Sequence, residues 1–193
     1  MSMSSASLMQ VDWSRLPAPE DDGAAAHLAG APLPAVALEA TDGTTVRLSE
    51  LRGRTVLYVY PLTGRPDRAL PGGWEDIPGA RGCTPQACAF RDHFSQLRQA
   101  GVANVFGLSV QDAAYQREAA DRLHLPFALL SDAKYEFASG MRLPTFDVAG
   151  ITLLRRLTMI IEDRRVMKVF YPVFPPDQNA ADVLRWLRDN HPA

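Results

Sequence analysis

Thr55 to Tyr60 (Thr-Val-Leu-Tyr-Val-Tyr) carries apolar or aromatic side chains at odd and even positions alike. That pattern predicts a strand buried on both faces, in the centre of a sheet covered by helices. Asn104–Val110 and Phe127–Leu130 predict two more strands. Val36-Ala37-Leu38 and Val46-Arg47-Leu48 flank Asp42-Gly43, which predicts a short hairpin turning on the Asp-Gly pair. Leu157–Ile161 and Val166–Tyr171 flank Glu162-Asp163-Arg164-Arg165 in a second hairpin. Helical spacing recurs in Ala87, Phe90, Phe94 and Leu97, in Tyr115, Ala119 and Leu123 of a helix over Gln111–Leu123, and in Val183, Leu184 and Leu187 of Asn179–Arg188. A short helix is expected within Ser131–Gly140, ended by its glycine. The order of elements gives an α/β sandwich with a central mixed sheet, with no internal repeat and no second domain.

Two stretches lack periodicity. Residues 1–28, with Ser-rich and Asp/Ala-rich runs, are expected to form a flexible or loosely docked arm ahead of a domain over 29–193. Residues 61–82 hold Pro61, Pro66, Pro71, Pro78 and five glycines. Loops of this length inside compact domains are usually functional.

Composition narrows the class. At 193 residues the chain can bury a full core, and 47% apolar with 22% charged residues is ordinary for a globular protein. A net charge of −2 without a Lys/Arg cluster argues against nucleic acid as a partner. No apolar run approaches the roughly 18 residues of a membrane span, and Met1–Glu20 lacks the basic start and apolar stretch of a secretory signal. The expected location is cytoplasmic, where structural disulfides are rare and paired cysteines point to catalysis or metal.

The only two cysteines, Cys83 and Cys88, lie in Arg81-Gly82-Cys83-Thr84-Pro85-Gln86-Ala87-Cys88 at the start of a predicted helix. Thr84 is expected to cap it and Pro85 to take its first position. Cys83 then sits where free backbone N–H groups and the positive end of the helix dipole favour a thiolate, and Gly82 leaves room for a substrate atom beside it. In a regular helix the two Cα atoms would be about 8 to 9 Å apart, beyond the roughly 7 Å a disulfide tolerates. Two states are therefore expected: a reduced helix and an oxidised, locally unwound loop carrying a Cys83–Cys88 bond. The plain alternative is a pair of buried apolar thiols. A zinc site of Cys83, Cys88 and His93 fits poorly, because successive steps of about 140° spread the three around the helix axis. His27, His93, His124 and His191 form no triad pattern.

Val59-Tyr60-Pro61, Gly82-Cys83-Thr84-Pro85-Gln86-Ala87-Cys88-Ala89-Phe90-Arg91-Asp92, Gly107-Leu108-Ser109, Leu129-Leu130-Ser131-Asp132 and Arg156 to Ile161 together resemble the signposts of peroxiredoxins. Among these they look most like the Q-type, or bacterioferritin comigratory protein-like, branch of the alkyl hydroperoxide reductase/thiol-specific antioxidant family, and the likeness spans about residues 28–190. The resemblance implies a thioredoxin-like fold with an added N-terminal hairpin. It assigns Cys83 as peroxidatic cysteine, Cys88 as resolving cysteine and Arg156 as the arginine that holds thiolate and peroxide together. Pro61, Thr63, Gly82, Thr84 and Gln86 become candidate substrate-binding residues, with Gln86 where a glutamate is common. The chain departs from the family in having Asp76 and Ala80 where a proline and a threonine usually precede the cysteine. We expect an insertion at about 63–81 that loops out and lets Thr63 face the thiolate.

The activity implied is reduction of hydrogen peroxide and organic hydroperoxides through a Cys83 sulfenic acid, resolved by Cys88, with thioredoxin or a glutaredoxin-like protein as reductant. No haem, flavin or metal is called for, and a monomer or dimer is expected. A thioredoxin-like redox sensor or disulfide-exchange protein using the same pair is the alternative.

Overall fold

The computed structural model describes residues 11–190. Seven strands form one mixed sheet in the order β2 (Thr45–Val46), β1 (Leu38–Ala40), β5 (Leu129–Ser131), β4 (Val102–Ser109), β3 (Arg54–Val59), β8 (Leu157–Glu162), β9 (Arg165–Phe170). At its centre β3 runs parallel to β4 and antiparallel to β8, while β5 runs parallel to β4. The hairpins β1 with β2, and β8 with β9, extend the two edges.

The two-sided strand explains the layering. Side chains alternate across a sheet, so Val56, Tyr58 and Tyr60 join one core cluster and Leu57 and Val59 the other. The first cluster is covered by α1 (Cys83–Asp92), α2 (Phe94–Gln99) and α5 (Asn179–Asn190), through Ala87, Phe90, Leu97, Val183, Leu184 and Leu187. The second is covered by α4 (Glu136–Met141), through Phe137, Ala138 and Met141, with Leu28 from the N-terminal side. Helix α3 (Ala113–Arg122) follows β4, capped by Asp112, whose carboxylate accepts from the Tyr115 amide at 2.7 Å. Of the expected arm, residues 1–10 lie outside the described residues, as does His191. Residues 11–28 carry two 3-10 turns, Trp13–Arg15 and Ala26–Leu28.

Three local expectations are corrected, and one element was not anticipated. The cysteine helix begins two residues early: Gly82, at φ 109°, is its N-cap, Cys83 its first residue, and no side chain caps it. Thr84 therefore does not cap, and Pro85 is the third helical residue rather than the first. The continuous helix through Leu97 breaks at His93, whose ring nitrogen lies 2.9 Å from the Ala89 carbonyl, so α2 starts afresh at Phe94. Gly140 does not end α4; Arg142 does, in the left-handed region, while Gly140 stays helical against Pro34. Finally, β6 (Thr145–Val148) and β7 (Ile151–Leu154) form a separate hairpin that the hydrophobic pattern did not reveal.

That extra hairpin supports the long irregular segment. Trp74 and Ala80 pack with Val148 and Leu153 in a satellite cluster, with Leu62, Ile77 and Phe146 alongside. The segment carries one regular turn, the 3-10 turn Trp74–Asp76, and its tryptophan is its anchor.

Candidate functional site

Strand β3 ends below the first turn of α1, and β8 begins beside it; this crossing brings Cys83 and Arg156, 73 residues apart in sequence, into contact. Arg156 Nη2 donates to Cys83 Sγ at 3.2 Å, and both side chains are buried. The guanidinium also donates to the carbonyls of Gly79 at 3.3 Å, Ala80 at 3.0 Å and Arg81 at 3.4 Å, and to Gln86 Oε1. Each of those oxygens is neutral. Among Arg156's described hydrogen-bond partners, only the Cys83 sulfur can carry a negative charge. An unpaired buried charge is costly, so the guanidinium and a Cys83 thiolate suit each other as counter-ions. The Ala80 carbonyl lies 3.8 Å from the same sulfur, within reach of a thiol proton.

A buried polar chain fixes the arginine from behind. Gln86 takes its Nη1 on Oε1 and donates from Nε2 to Asn179 Oδ1 at 2.9 Å, and Thr158 Oγ1 donates to that same oxygen at 2.6 Å. Gln86, Asn179 and Thr158 are all buried. Sequence reasoning missed Asn179 and Thr158, because a polar pairing between β8 and the start of α5 leaves no local pattern.

The other predicted residues fall around this centre. Cys88 lies one and a half turns along α1, buried in the apolar cluster with Tyr58 and Phe90. Burial pushes its thiol pKa up, outweighing Arg91 and Arg122, which pull it down. Both cysteines are free thiols in one unbroken helix. Thr84 is half-buried and, with Gly82 and Cys83, lines the mouth of a cavity. Pro61 is buried just past β3. Thr63 is buried too, but its amide donates to Gln111 Oε1 at 2.8 Å, its carbonyl accepts from Gln111 Nε2 at 3.2 Å, and its hydroxyl bonds Tyr60. Its neighbours Leu62 and Gly64, rather than Thr63 itself, line the cavity over Cys83. His93 is tied to Ala89, and among the described residues no cluster of three metal-type side chains occurs. No described helix is long and apolar enough to cross a membrane.

Tyr58 and Tyr60 form a second group the sequence reading left unassigned, although their i, i+2 spacing puts them on one face of β3. Tyr58 stacks on Phe90 with ring centroids 4.6 Å apart. Burial raises both phenols, Tyr60 to about 12, so they stay neutral beneath Cys83. Gly107 on β4 makes room for this layer, since a Cβ there would meet the Tyr58 ring at 2.6 Å.

Gly82 holds the top of the site together. A Cβ there would meet Pro176 at 2.6 Å and Trp13 at 2.8 Å. Trp13 is itself tied down, donating from Nε1 to Asp177 Oδ2 at 2.8 Å and meeting Phe174 edge to face.

Comparison with known proteins agrees with this architecture. The Redoxin family model matches residues 28–184. The chloroplastic peroxiredoxin Q of Triticum aestivum is 34% identical over 158 residues, covering 81% of this chain and 64% of that protein. The chloroplastic peroxiredoxin Q of Sedum lineare is 31% identical over 161 residues, covering 82% and 77%. The chain spans a little under two thirds of the length of the wheat and rice relatives. Among solved structures, the peroxidoxin BcpB of Mycobacterium tuberculosis superposes with a TM-score of 0.67 at 27% identity, covering 84% of this chain and 97% of that one. A peroxiredoxin Q of Xanthomonas campestris, at 20% identity, shares the fold with a TM-score of 0.64 over 82% and 95%.

Proposed function

Because this chain belongs to the Redoxin family, in its peroxiredoxin Q branch, we propose that it is a thiol-dependent peroxidase that reduces hydrogen peroxide and organic hydroperoxides. The observation that carries this reading is the 3.2 Å contact between Arg156 Nη2 and Cys83 Sγ at the first residue of α1.

The Cys83 thiolate attacks the terminal oxygen of the peroxide. The S–O bond forms as the O–O bond breaks, and hydroxide or alkoxide leaves and takes up a proton. Charge spreads across three atoms in line, and a guanidinium can donate to more than one of them without losing its own charge. The 3.4 Å contact of Nη2 with the Arg81 carbonyl is the longest of its bonds, and a peroxide oxygen displaces it at the least cost. The sulfenic acid on Cys83 then condenses with the Cys88 thiol, releasing water and leaving a disulfide. That step requires α1 to open, since about 8 to 9 Å separates residues five apart in a regular helix. Thioredoxin or a glutaredoxin-like dithiol returns the pair to thiols. We place the chain in a reducing compartment such as the cytoplasm, as a monomer or dimer.

Stopped-flow oxidation by hydrogen peroxide, followed by tryptophan fluorescence, tests the proposal. The wild-type chain should react orders of magnitude faster than an unactivated thiol, and Cys83→Ser not at all. Full peroxidase turnover by Cys83→Ser would sink the reading.

A further inference from the structure

Residues 11–22 lie ahead of the 28–184 that the Redoxin model matches, yet they run across the reactive end of α1. Val11 lines the cavity over Cys83. Trp13 stands against Gly82, and Pro19 against Gly79, where a Cβ would meet the proline ring at 3.2 Å. Gly79, Ala80 and Arg81 carry the carbonyls that hold Arg156, so the segment crosses both the loop before the cysteine and the turn that bears it. Farther on it is pinned again, where the Tyr171 hydroxyl donates to Asp22 Oδ1 at 2.8 Å.

Trp13 makes the most specific of these attachments. Its indole donates to Asp177 Oδ2 at 2.8 Å, and its ring meets Phe174 edge to face with centroids 6.0 Å apart. Asp177 belongs to the 3-10 turn Pro176–Gln178, which leads into α5 and whose Pro176 is the other side chain against Gly82. Among the described residues nothing bonds the buried Oδ1 of Asp177, so the indole is the one described donor to that carboxylate. The start of α1 is thus clasped between two segments that a single indole hydrogen bond ties to each other.

Forming a Cys83–Cys88 bond requires this turn to open. A step that proceeds through a minor open state scales with that state's population, and an attachment made only in the closed state lowers it. We propose that Trp13 is a positioning residue for the resolving step: latched to Asp177 over Gly82, it holds the first turn of α1 closed after Cys83 is oxidised and so sets how long the sulfenic acid persists. The inference rests on the peroxidase reading and adds a control on its second step. While the sulfenic acid persists it has two fates. The Cys88 thiol attacks its sulfur, an S–S bond forms as the S–O bond breaks, and water leaves. Otherwise the sulfur attacks a second peroxide, an S–O bond forms as the O–O bond breaks, and sulfinic acid and water result. Under excess peroxide the latch favours the second fate.

The test oxidises the full reduced chain with one equivalent of hydrogen peroxide, quenches it with a thiol-alkylating reagent at set times, and counts sulfenic acid and disulfide by mass spectrometry. A hydrogen bond and an aromatic edge together bias a local equilibrium about 5- to 30-fold. Trp13→Ala should form the disulfide faster by that factor and yield less sulfinic acid under excess peroxide. Trp13→Phe and Asp177→Ala each lose the hydrogen bond alone and should speed the step about 2- to 10-fold. Asp177→Asn keeps an acceptor oxygen and should restore the wild-type rate, whereas a role in packing alone would leave the two Asp177 variants alike. Disulfide formation no faster than wild type in Trp13→Ala would overturn the inference. If that variant does not fold, the wild-type rate in both Trp13→Phe and Asp177→Ala overturns it instead. Failure of the peroxidase reading looks different, since the peroxide would then leave Cys83 a thiol in every variant.

Discussion

The first and second turns of α1 hold the same side chain in opposite surroundings. At its first residue, Cys83 faces a guanidinium, a carbonyl and an open cavity. At its sixth, Cys88 is packed among Tyr58, Phe90 and the apolar residues of α5, and burial raises its thiol pKa. Both are almost wholly shielded from solvent, so burial does not separate them. What separates them is the charge each environment tolerates: the first turn suits an anion, and the second suits a neutral thiol. On the proposed mechanism, one helix stores a reactive and a dormant sulfur and releases the second only by opening.

The largest test of this contrast exchanges the two sulfurs. Cys83→Ser should remove peroxide reactivity altogether, whereas Cys88→Ser should keep the first oxidation within about threefold and stall at the sulfenic acid, visible by mass spectrometry and by poor turnover with a dithiol reductant. Next in size is Arg156→Met, which keeps apolar bulk but removes the counter-ion. Loss of one charged transition-state donor costs about 100- to 1,000-fold, so oxidation should slow by that order while folding, read by circular dichroism, persists. Arg156→Met reacting at the wild-type rate would show that the helix start alone suffices.

A third test uses pH. Because burial raises the Cys88 pKa in the helix, its ionisation favours the opened state, and the closed helix loses relative stability as pH climbs past an exposed thiol's value of about 8.5. The rate of disulfide formation after a single oxidation should therefore rise with pH through about 8 to 9. A flat profile would mean that Cys88 reacts without leaving its packed site. Smaller still, Gln86→Ala deprives Arg156 and Asn179 of a buried partner and should cost roughly 1–3 kcal/mol of stability, measured by urea denaturation. The smallest effect is expected at Thr63. Its hydroxyl serves Tyr60 and its backbone serves Gln111, so Thr63→Val should change peroxide reactivity by no more than about twofold. A large loss would restore it to the chemistry at Cys83.

The sheet was legible because its central strands are apolar on both faces, and the reactive end of α1 because Gly82, Cys83 and a helical pattern adjoin. Arg156 was legible only through family resemblance, since nothing local in Leu154-Arg155-Arg156-Leu157 distinguishes one arginine from its neighbour. The structure separates them: Arg155 lies over the Phe146 ring, and Arg156 is buried at the sulfur. The β6–β7 hairpin escaped because its turn is Ala149-Gly150, with the alanine itself at φ 48°, where no sequence rule expects it. Without that hairpin the seat of Trp74 could not be foreseen.

Gly82 bears on how this chain can be altered. Its position is closed to other residues twice over, by a φ of 109° and by Pro176 and Trp13 standing where a side chain would go. The two obstacles come from opposite ends of the polypeptide, so the alphabet allowed at residue 82 is set by segments remote from it. An engineer who trims the chain past Trp13 is therefore removing one of the two side chains that stand over Gly82 beside Cys83, not shortening a tail. The better places for a cut or a fusion are those where nothing leans on the glycine.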